Sequence, residues 1–320
     1  MIIKLGALGD VVMATSLVRQ IQQHHAHDDL WLLTAPAFLD IFNNWPGLHV
    51  VAFGRRKLGE NIKAICWIRS GAFTRVYDLQ SSERSAVLCA LSGIPARVGN
   101  HPRYPYNIHP DDIYTGQSHI YERMLDVLQS AGINAVYAPP FLPLADEEKD
   151  FVMAWLGKNQ LLNSPFAILH PGTSPHHPEK RWPGFLELAL ALKDTGYAVV
   201  WAGAAGEQKM NGEYSRQVGI DASNIFSINM LAELGRHARF AVTNDSGPMH
   251  VLSASGIPVY AFFGPTSWRR NHALGQKEHV LAVETLCPDR IPGAPAVSDL
   301  RLISVNDVMQ RLRKNGLVRA

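Results

Sequence analysis

Three turns hold the residue types that could do chemistry. The first is Asn244-Asp245-Ser246-Gly247, set between a short apolar stretch, residues 240–243, and a segment carrying Met249, His250, Leu252 and Ala254 that stops at Gly256. A buried strand that feeds a helix through Ser246 and Gly247 leaves the free N–H groups of the first helical turn above the strand end, where they suit an anion such as a diphosphate. A second apolar run, residues 259–263, ends in Gly264-Pro265, so the unit reads strand, turn, helix, strand. Asp245, Gly247 and His250 fall close enough to face one ligand, although His250 fits equally well as a half-buried histidine of its helix.

The second turn, Lys4-Leu5-Gly6-Ala7-Leu8-Gly9-Asp10, links the first strand to the first helix. Gly6 and Gly9 supply only part of a dinucleotide fingerprint, and no Gly-Lys-Ser/Thr makes it a Walker loop. What remains is a carboxylate, Asp10, presented at a helix start on the carboxyl edge of a parallel sheet, where open α/β sheets place ligands. Asp10 then serves either as a helix cap or, kept ionised, as a general base. The third turn, His170-Pro171-Gly172-Thr173-Ser174, offers backbone and hydroxyl donors to an oxyanion, and Lys180 brings an ammonium to the same rim. Taken singly, Lys180 and Arg181 also suit a solvated pair before a helix, and His170 a satisfied histidine at a strand end.

The elements that position these turns follow from the apolar periodicity. Strands are expected over residues 2–5, 30–33, 49–53 and 75–79, alternating with helices near 11–24, 36–43, 59–70 and 82–92, and an amphipathic helix over 119–131 follows. Ala138-Pro139-Pro140-Phe141-Leu142-Pro143 suits neither helix nor central strand and is the linker candidate. Beyond it an acidic helix begins near Asp146, then strands over 166–169, 198–202, 224–227 and 240–243 alternate with helices over 182–195, 206–218 and 231–238. Strand-helix alternation at this spacing means parallel sheets wrapped by helices.

With 320 residues, 47% hydrophobic and 18% charged, the chain reads as a soluble globular protein of two domains, each about 150 residues. A net charge of +2, without aromatic residues interleaved among basic runs, excludes nucleic acid as the expected partner. Three scattered cysteines, Cys66, Cys89 and Cys287, form no metal knuckle or disulfide framework and suggest a reducing compartment. The first residues lack a signal-peptide pattern, and no apolar run reaches spanning length, so a cytoplasmic protein is expected.

LGALGDVV near the N-terminus, HPGTS with a downstream EKRWP, AGAAGE, and NDSGPMH followed by FFGPT together resemble glycosyltransferase family 9, the ADP-heptose:lipopolysaccharide heptosyltransferases. The motifs occur in the family's order and span nearly the whole chain. The resemblance implies a GT-B fold: two Rossmann-like domains with parallel sheets facing across a cleft, acceptor bound by the first and nucleotide sugar by the second. It places the first domain at residues 1–145, joined by a C-terminal helix at 304–320, and the second at 146–303. By position, Asp10 matches the family's proposed base and Lys180 the basic residue at the donor phosphates and sugar. Thr173 and Ser174 fall in the phosphate turn, Glu207 where ribose hydroxyls are held, and Asp245, Ser246, Gly247 and His250 in the donor-binding helix opening.

Glycosyl transfer builds negative charge on a departing diphosphate, so the site needs a base on one side and fixed positive potential on the other. No Asp-x-Asp stands at a strand end, so the expectation is a metal-independent enzyme without a cofactor, its donor substrate being ADP-heptose. The implied partner is a lipid A-Kdo acceptor, which adds a peripheral position on the inner face of the inner membrane to the cytoplasmic expectation. Arg55, Arg56 and Lys57, with Arg97 and Arg103 farther on, either line a site for this anionic acceptor or are solubilising surface. Absence of G-x-G-x-x-G and of Tyr-x-x-x-Lys counts against a nucleotide-sugar oxidoreductase or epimerase. A non-catalytic nucleotide-sugar-binding protein, and a family 9 transferase using another donor, remain as alternatives.

Overall fold

The computed structural model describes residues 1–54, 58–111, 118–286 and 299–319. The chain divides into two units, Met1–Pro143 and Leu144–Ala320.

Unit 1 holds strands β1 (Ile2–Ile3), β2 (Leu30–Thr34), β3 (Leu48–Ala52), β4 (Arg75–Asp78) and β5 (Ala96–Val98), with helices α1 (Leu8–His24), α2 (Leu58–Ser70), α3 (Glu83–Leu91) and α4 (Ile120–Ser130). The strands form one parallel sheet in the order β3-β2-β1-β4-β5, with Ile2 opposite Leu32 on one side and Tyr77 on the other. Central parallel strands are covered on both faces, which is why Ile2, Ile3, Leu32 and Val76 have no solvent exposure. The segment expected as a helix at 36–43 is a 3-10 helix, Pro36–Phe42; seven residues between two strands give an α-helix little length to propagate. Strand β5 was not anticipated, because Ala-Arg-Val is too short to show a period.

Unit 2 holds strands β6 (Phe166–His170), β7 (Ala198–Trp201), β8 (Ile220–Asp221), β9 (Phe240–Asn244), β10 (Val259–Phe263) and β11 (Val280–Ala282). Its helices are α5 (Asp146–Lys158), α6 (Phe185–Asp194), α7 (Gln208–Ser215), α8 (Ile228–His237), α9 (Gly247–Ser253), α10 (Trp268–Asn271), α11 (Val283–Leu286) and α12 (Val305–Lys314). The sheet is again parallel, in the order β11-β10-β9-β6-β7-β8. The strand expected at 224–227 lies four residues earlier, at Ile220–Asp221. Asn224 instead adopts a φ of +58°, and Ser227 caps α8 by accepting a hydrogen bond from the Met230 amide at 3.2 Å.

The C-terminal helix was expected to join the first domain, and here the structure differs. Helix α12 buries Val308, Met309 and Leu312 in the cluster that holds Trp182, Phe185, Leu188 and Trp201 of unit 2. Arg311 donates to the Glu278 carbonyl at 3.1 Å, and Asn315 donates to the Tyr260 hydroxyl at 2.5 Å. Its apolar stripe is satisfied by α6 and the unit 2 sheet. Among the described residues no helix is long and apolar enough to cross a membrane. Cys66 is exposed and Cys89 buried, both free, while Cys287 lies outside the described residues.

Candidate active site

Parallel order puts every strand's carboxyl end on one edge of its sheet, and a ligand crevice opens where strand order reverses. In unit 1 the reversal lies between β1 and β4. The turn after β1 is held there by the strand β4 side: the Gln80 carboxamide oxygen accepts from the amides of Leu5 at 2.8 Å and Gly6 at 3.0 Å. Helix α1 then starts at Leu8, placing Asp10 in its first turn with the side chain 27% exposed. Among the described residues Asp10 makes no capping hydrogen bond. Its Oδ2 lies 3.9 Å from the Nζ of Lys4, a buried lysine that also donates to the Leu79 carbonyl at 3.0 Å.

Burial pushes the Lys4 ammonium below the usual lysine range, and the charges of Asp10 and Asp78 pull it back. Asp78 is fully buried at the end of β4; burial raises its carboxyl, against hydrogen bonds from the Tyr106 hydroxyl at 2.5 Å and the Gln80 and Ser81 amides at 2.9 and 3.1 Å. Neither Lys4 nor Gln80 was singled out from the sequence. The signal for Lys4 was its place as the one charge in the apolar stretch Met1–Leu5. Arg55, Arg56 and Lys57 lie outside the described residues. Arg97 donates to the carbonyls of Pro105 at 2.5 Å and Ile94 at 2.6 Å, so it is committed to its own loop.

In unit 2 the reversal lies between β6 and β9, and the loops following them are the two predicted turns. Asn244, fully buried at the end of β9, ties them together: its Nδ2 donates to the carbonyls of Pro171 at 2.9 Å and Gly172 at 3.4 Å, and its Oδ1 accepts from the Trp182 amide at 3.0 Å. Trp182 is anchored further by a hydrogen bond from its indole to the Ile303 carbonyl at 2.9 Å and by stacking on Phe262 with centroids 4.2 Å apart. Two residues before this anchor, Lys180 reaches the Asp245 Oδ2 at 2.7 Å. The Thr266 hydroxyl, in the loop after β10, donates to the same oxygen at 2.5 Å. The pair is largely buried, with side-chain exposures of 18% and 9%.

Thr173 is buried, and its hydroxyl has no partner among the described residues. Ser174 is exposed at the tip of the turn and accepts from the His177 amide through its carbonyl at 2.9 Å. Glu207 lies over the turn: a Cβ on Gly172 would stand 2.7 Å from its Cγ, and its Oε2 accepts from the Ala204 amide at 2.8 Å. Ser246 shares a 3.4 Å hydrogen bond with His170 Nδ1, Gly247 opens α9, and His250 is buried one turn on. Burial lowers His170 to about 4, so it is neutral near pH 7. All seven predicted donor-side residues and Lys180 therefore lie in unit 2, on the loops at one sheet edge or on α9, which begins there, while Asp10 lies in unit 1. Among the described residues no three His, Cys, Asp or Glu side chains gather as a metal site. Asn244 and Thr266 were missed as site residues, although both stand inside motifs quoted from the sequence.

This arrangement offers an ammonium, hydroxyls and backbone donors at one reversal of strand order, and a lightly exposed carboxylate at the other. The glycosyltransferase family 9 (heptosyltransferase) model matches residues 62–290. The lipopolysaccharide heptosyltransferase 2 of Escherichia coli K12 is 27% identical over 303 residues, covering 87% of this chain and 86% of that protein. Among solved structures, a family 9 glycosyltransferase from Veillonella parvula superposes with a TM-score of 0.81 at 19% identity, covering 98% of this chain and 95% of the other. The E. coli ADP-heptose lipopolysaccharide heptosyltransferase II superposes with a TM-score of 0.74 at 22% identity over 98% and 97%. With two parallel α/β units of the GT-B kind and a family match over most of its length, the chain belongs to glycosyltransferase family 9 and is a glycosyltransferase.

Proposed function

We propose that the protein is an inverting heptosyltransferase that moves heptose from ADP-heptose to the Kdo/heptose inner core of lipopolysaccharide. The observation that carries this reading is the buried Lys180–Asp245 pair, set on the loops at the strand-order reversal of unit 2. A glycosyl transfer that expels a nucleoside diphosphate needs a fixed cation and hydrogen-bond donors at the leaving group. In the proposed reaction Asp10 accepts the proton of the acceptor hydroxyl while its oxygen attacks the anomeric carbon. The bond from that carbon to the diphosphate oxygen breaks, and ADP leaves with the electron pair. Lys180 and the Thr173 and Ser174 donors receive the phosphate charge, Glu207 holds the ribose hydroxyls, and the Asp245 to Gly247 turn with His250 completes the donor pocket. Arg55, Arg56 and Lys57 are assigned to the anionic acceptor. The names of the relatives support the donor and acceptor classes.

The test is turnover of ADP-heptose with a lipid A-Kdo acceptor, with the anomeric configuration of the product read by NMR. Inverted configuration and activity that survives exhaustive chelation are expected, because Lys180 and backbone donors already meet the leaving-group charge. Retention of configuration, or loss with EDTA restored by magnesium, would sink this mechanism. Turnover of a different nucleotide sugar in preference to ADP-heptose would reassign the donor.

A further inference from the structure

Helices α2 and α3 run side by side on one face of the unit 1 sheet, and their outer surface is unusually apolar. Arg84 at the start of α3 donates twice to the Asn61 carboxamide oxygen of α2, at 2.8 and 3.2 Å, and Arg69 at the end of α2 donates to the Leu91 carbonyl of α3 at 2.8 Å. These bonds align the helices along their length, so the outward stripe of α2 (Ile62, Cys66, Arg69) and that of α3 (Val87, Leu91) make one surface. Tyr104 extends it, its hydroxyl donating to the Ala90 carbonyl at 3.4 Å. Ile62 is 62% exposed, Val87 52%, Leu91 45% and Tyr104 77%. Single exposed apolar side chains are ordinary, but four on one surface mark an interaction site. Lys63, Arg69 and Arg103 are exposed around it, against one exposed acid, Glu83.

We propose that this face docks the protein on an anionic lipid surface. Ile62, Val87, Leu91 and Tyr104 enter the boundary between headgroups and acyl chains, and Lys63, Arg69 and Arg103 meet lipid phosphates. Charge decides the occupant: a two-fold pairing of two copies through this face would set three cations against three cations, whereas a negatively charged bilayer complements them. The inference rests on the reading that the acceptor is carried by a membrane lipid, for which docking brings enzyme and acceptor into one plane.

The experiment is flotation of the full chain with vesicles of phosphatidylcholine alone or mixed with phosphatidylglycerol. Binding only to the mixed vesicles, weakened by salt, is expected. Val87→Glu with Leu91→Glu should reduce binding about tenfold, and Lys63→Gln about fivefold at low salt. Equal binding to both vesicles, no binding to either, or no effect of the substitutions would overturn the proposal. So would sedimentation showing that the double variant turns a dimer into a monomer, which would give the face to a second copy. Transfer to a detergent-dispersed acceptor, measured on the same variants, separates this from the catalytic reading: retained transfer with lost flotation supports docking alone, while a wild-type protein that floats without transferring overturns the function and leaves the face.

Discussion

Asp10 meets the Lys4 ammonium at 3.9 Å and makes no capping hydrogen bond among the described residues, so Asp10→Asn tests the base without unseating α1. Turnover should fall about a hundred- to ten-thousandfold with ADP affinity unchanged by calorimetry; parallel loss of thermal stability and activity would point to a structural role. Lys180→Ala leaves the Asp245 carboxylate nearly buried with Thr266 as its remaining partner, which costs more than the missing cation alone. ADP binding and turnover should fall together, and adding Asp245→Asn should recover part of the thermal midpoint, a coupling that a double-mutant cycle measures directly. His170 adds a pH dependence. Its folded value of about 4 lies below the ordinary 6.5, so the unfolded chain binds the extra proton first as pH falls. The stability it contributes, about 3 kcal/mol, is present above pH 6.5 and lost between there and about 4. Urea unfolding over that range should show a shallower slope for His170→Gln than for the wild type. Of these residues, Asp10, Lys180 and Asp245 were legible because each stands in a turn with a recognisable neighbour pattern. Asn244 was not, because its partners lie 62, 72 and 73 residues away and no local spacing reports a contact of that kind.

The turns themselves act through their glycines. Gly172 lets the turn after β6 pass under Glu207, and Gly203 leaves room for the same side chain and for Asn211, since a Cβ there would come within 2.8 Å of Glu207 Cβ and 2.7 Å of Asn211 Nδ2. Gly172→Ala is therefore expected to push Glu207 aside and weaken ADP binding about tenfold or more, with a thermal midpoint changed by only a few degrees. Unchanged ADP affinity would remove Glu207 from the donor site. Most strands and helices could be located from periodicity because parallel strands covered on both faces are nearly continuous apolar runs. Strand β11 and strand β5, three residues each, were missed because they are too short to show a pattern. The misplaced strand near Asn224 reflects a different competition: Ser227 and its neighbours satisfy backbone groups as a helix cap, which outweighs the β-propensity of Ile225 and Phe226.

Helix α12 contains none of the site residues, yet the core of unit 2 depends on it. Ending the chain after Ile303 would strip Val308, Met309 and Leu312 from the cluster around Trp182 and Phe185, and Trp182 in turn supports Asn244 and Lys180. The truncated protein should lose ADP binding and become protease-sensitive beyond Leu144, while a resistant fragment matching Met1–Pro143 survives; simultaneous digestion of both units would contradict the division of the core. The tandem architecture was legible from alternation and from the proline-rich linker. The attachment of α12 was not, since amphipathicity tells a helix to bury one face without naming the surface that receives it.

The same topology sets an order of events on the ribosome. Unit 1 is one continuous stretch of chain, so its sheet has all its strands before Leu144 emerges. The delay inside each unit is alike: β1, lying between β2 and β4, waits for Arg75–Asp78, and β6, lying between β7 and β9, waits for Phe240–Asn244. Until β9 appears, β6 carries an open apolar strand edge, and the unit 2 core is complete only once α12 has been made. Chaperone dependence should therefore rise twice during synthesis, between β1 and β4 and again between β6 and β9.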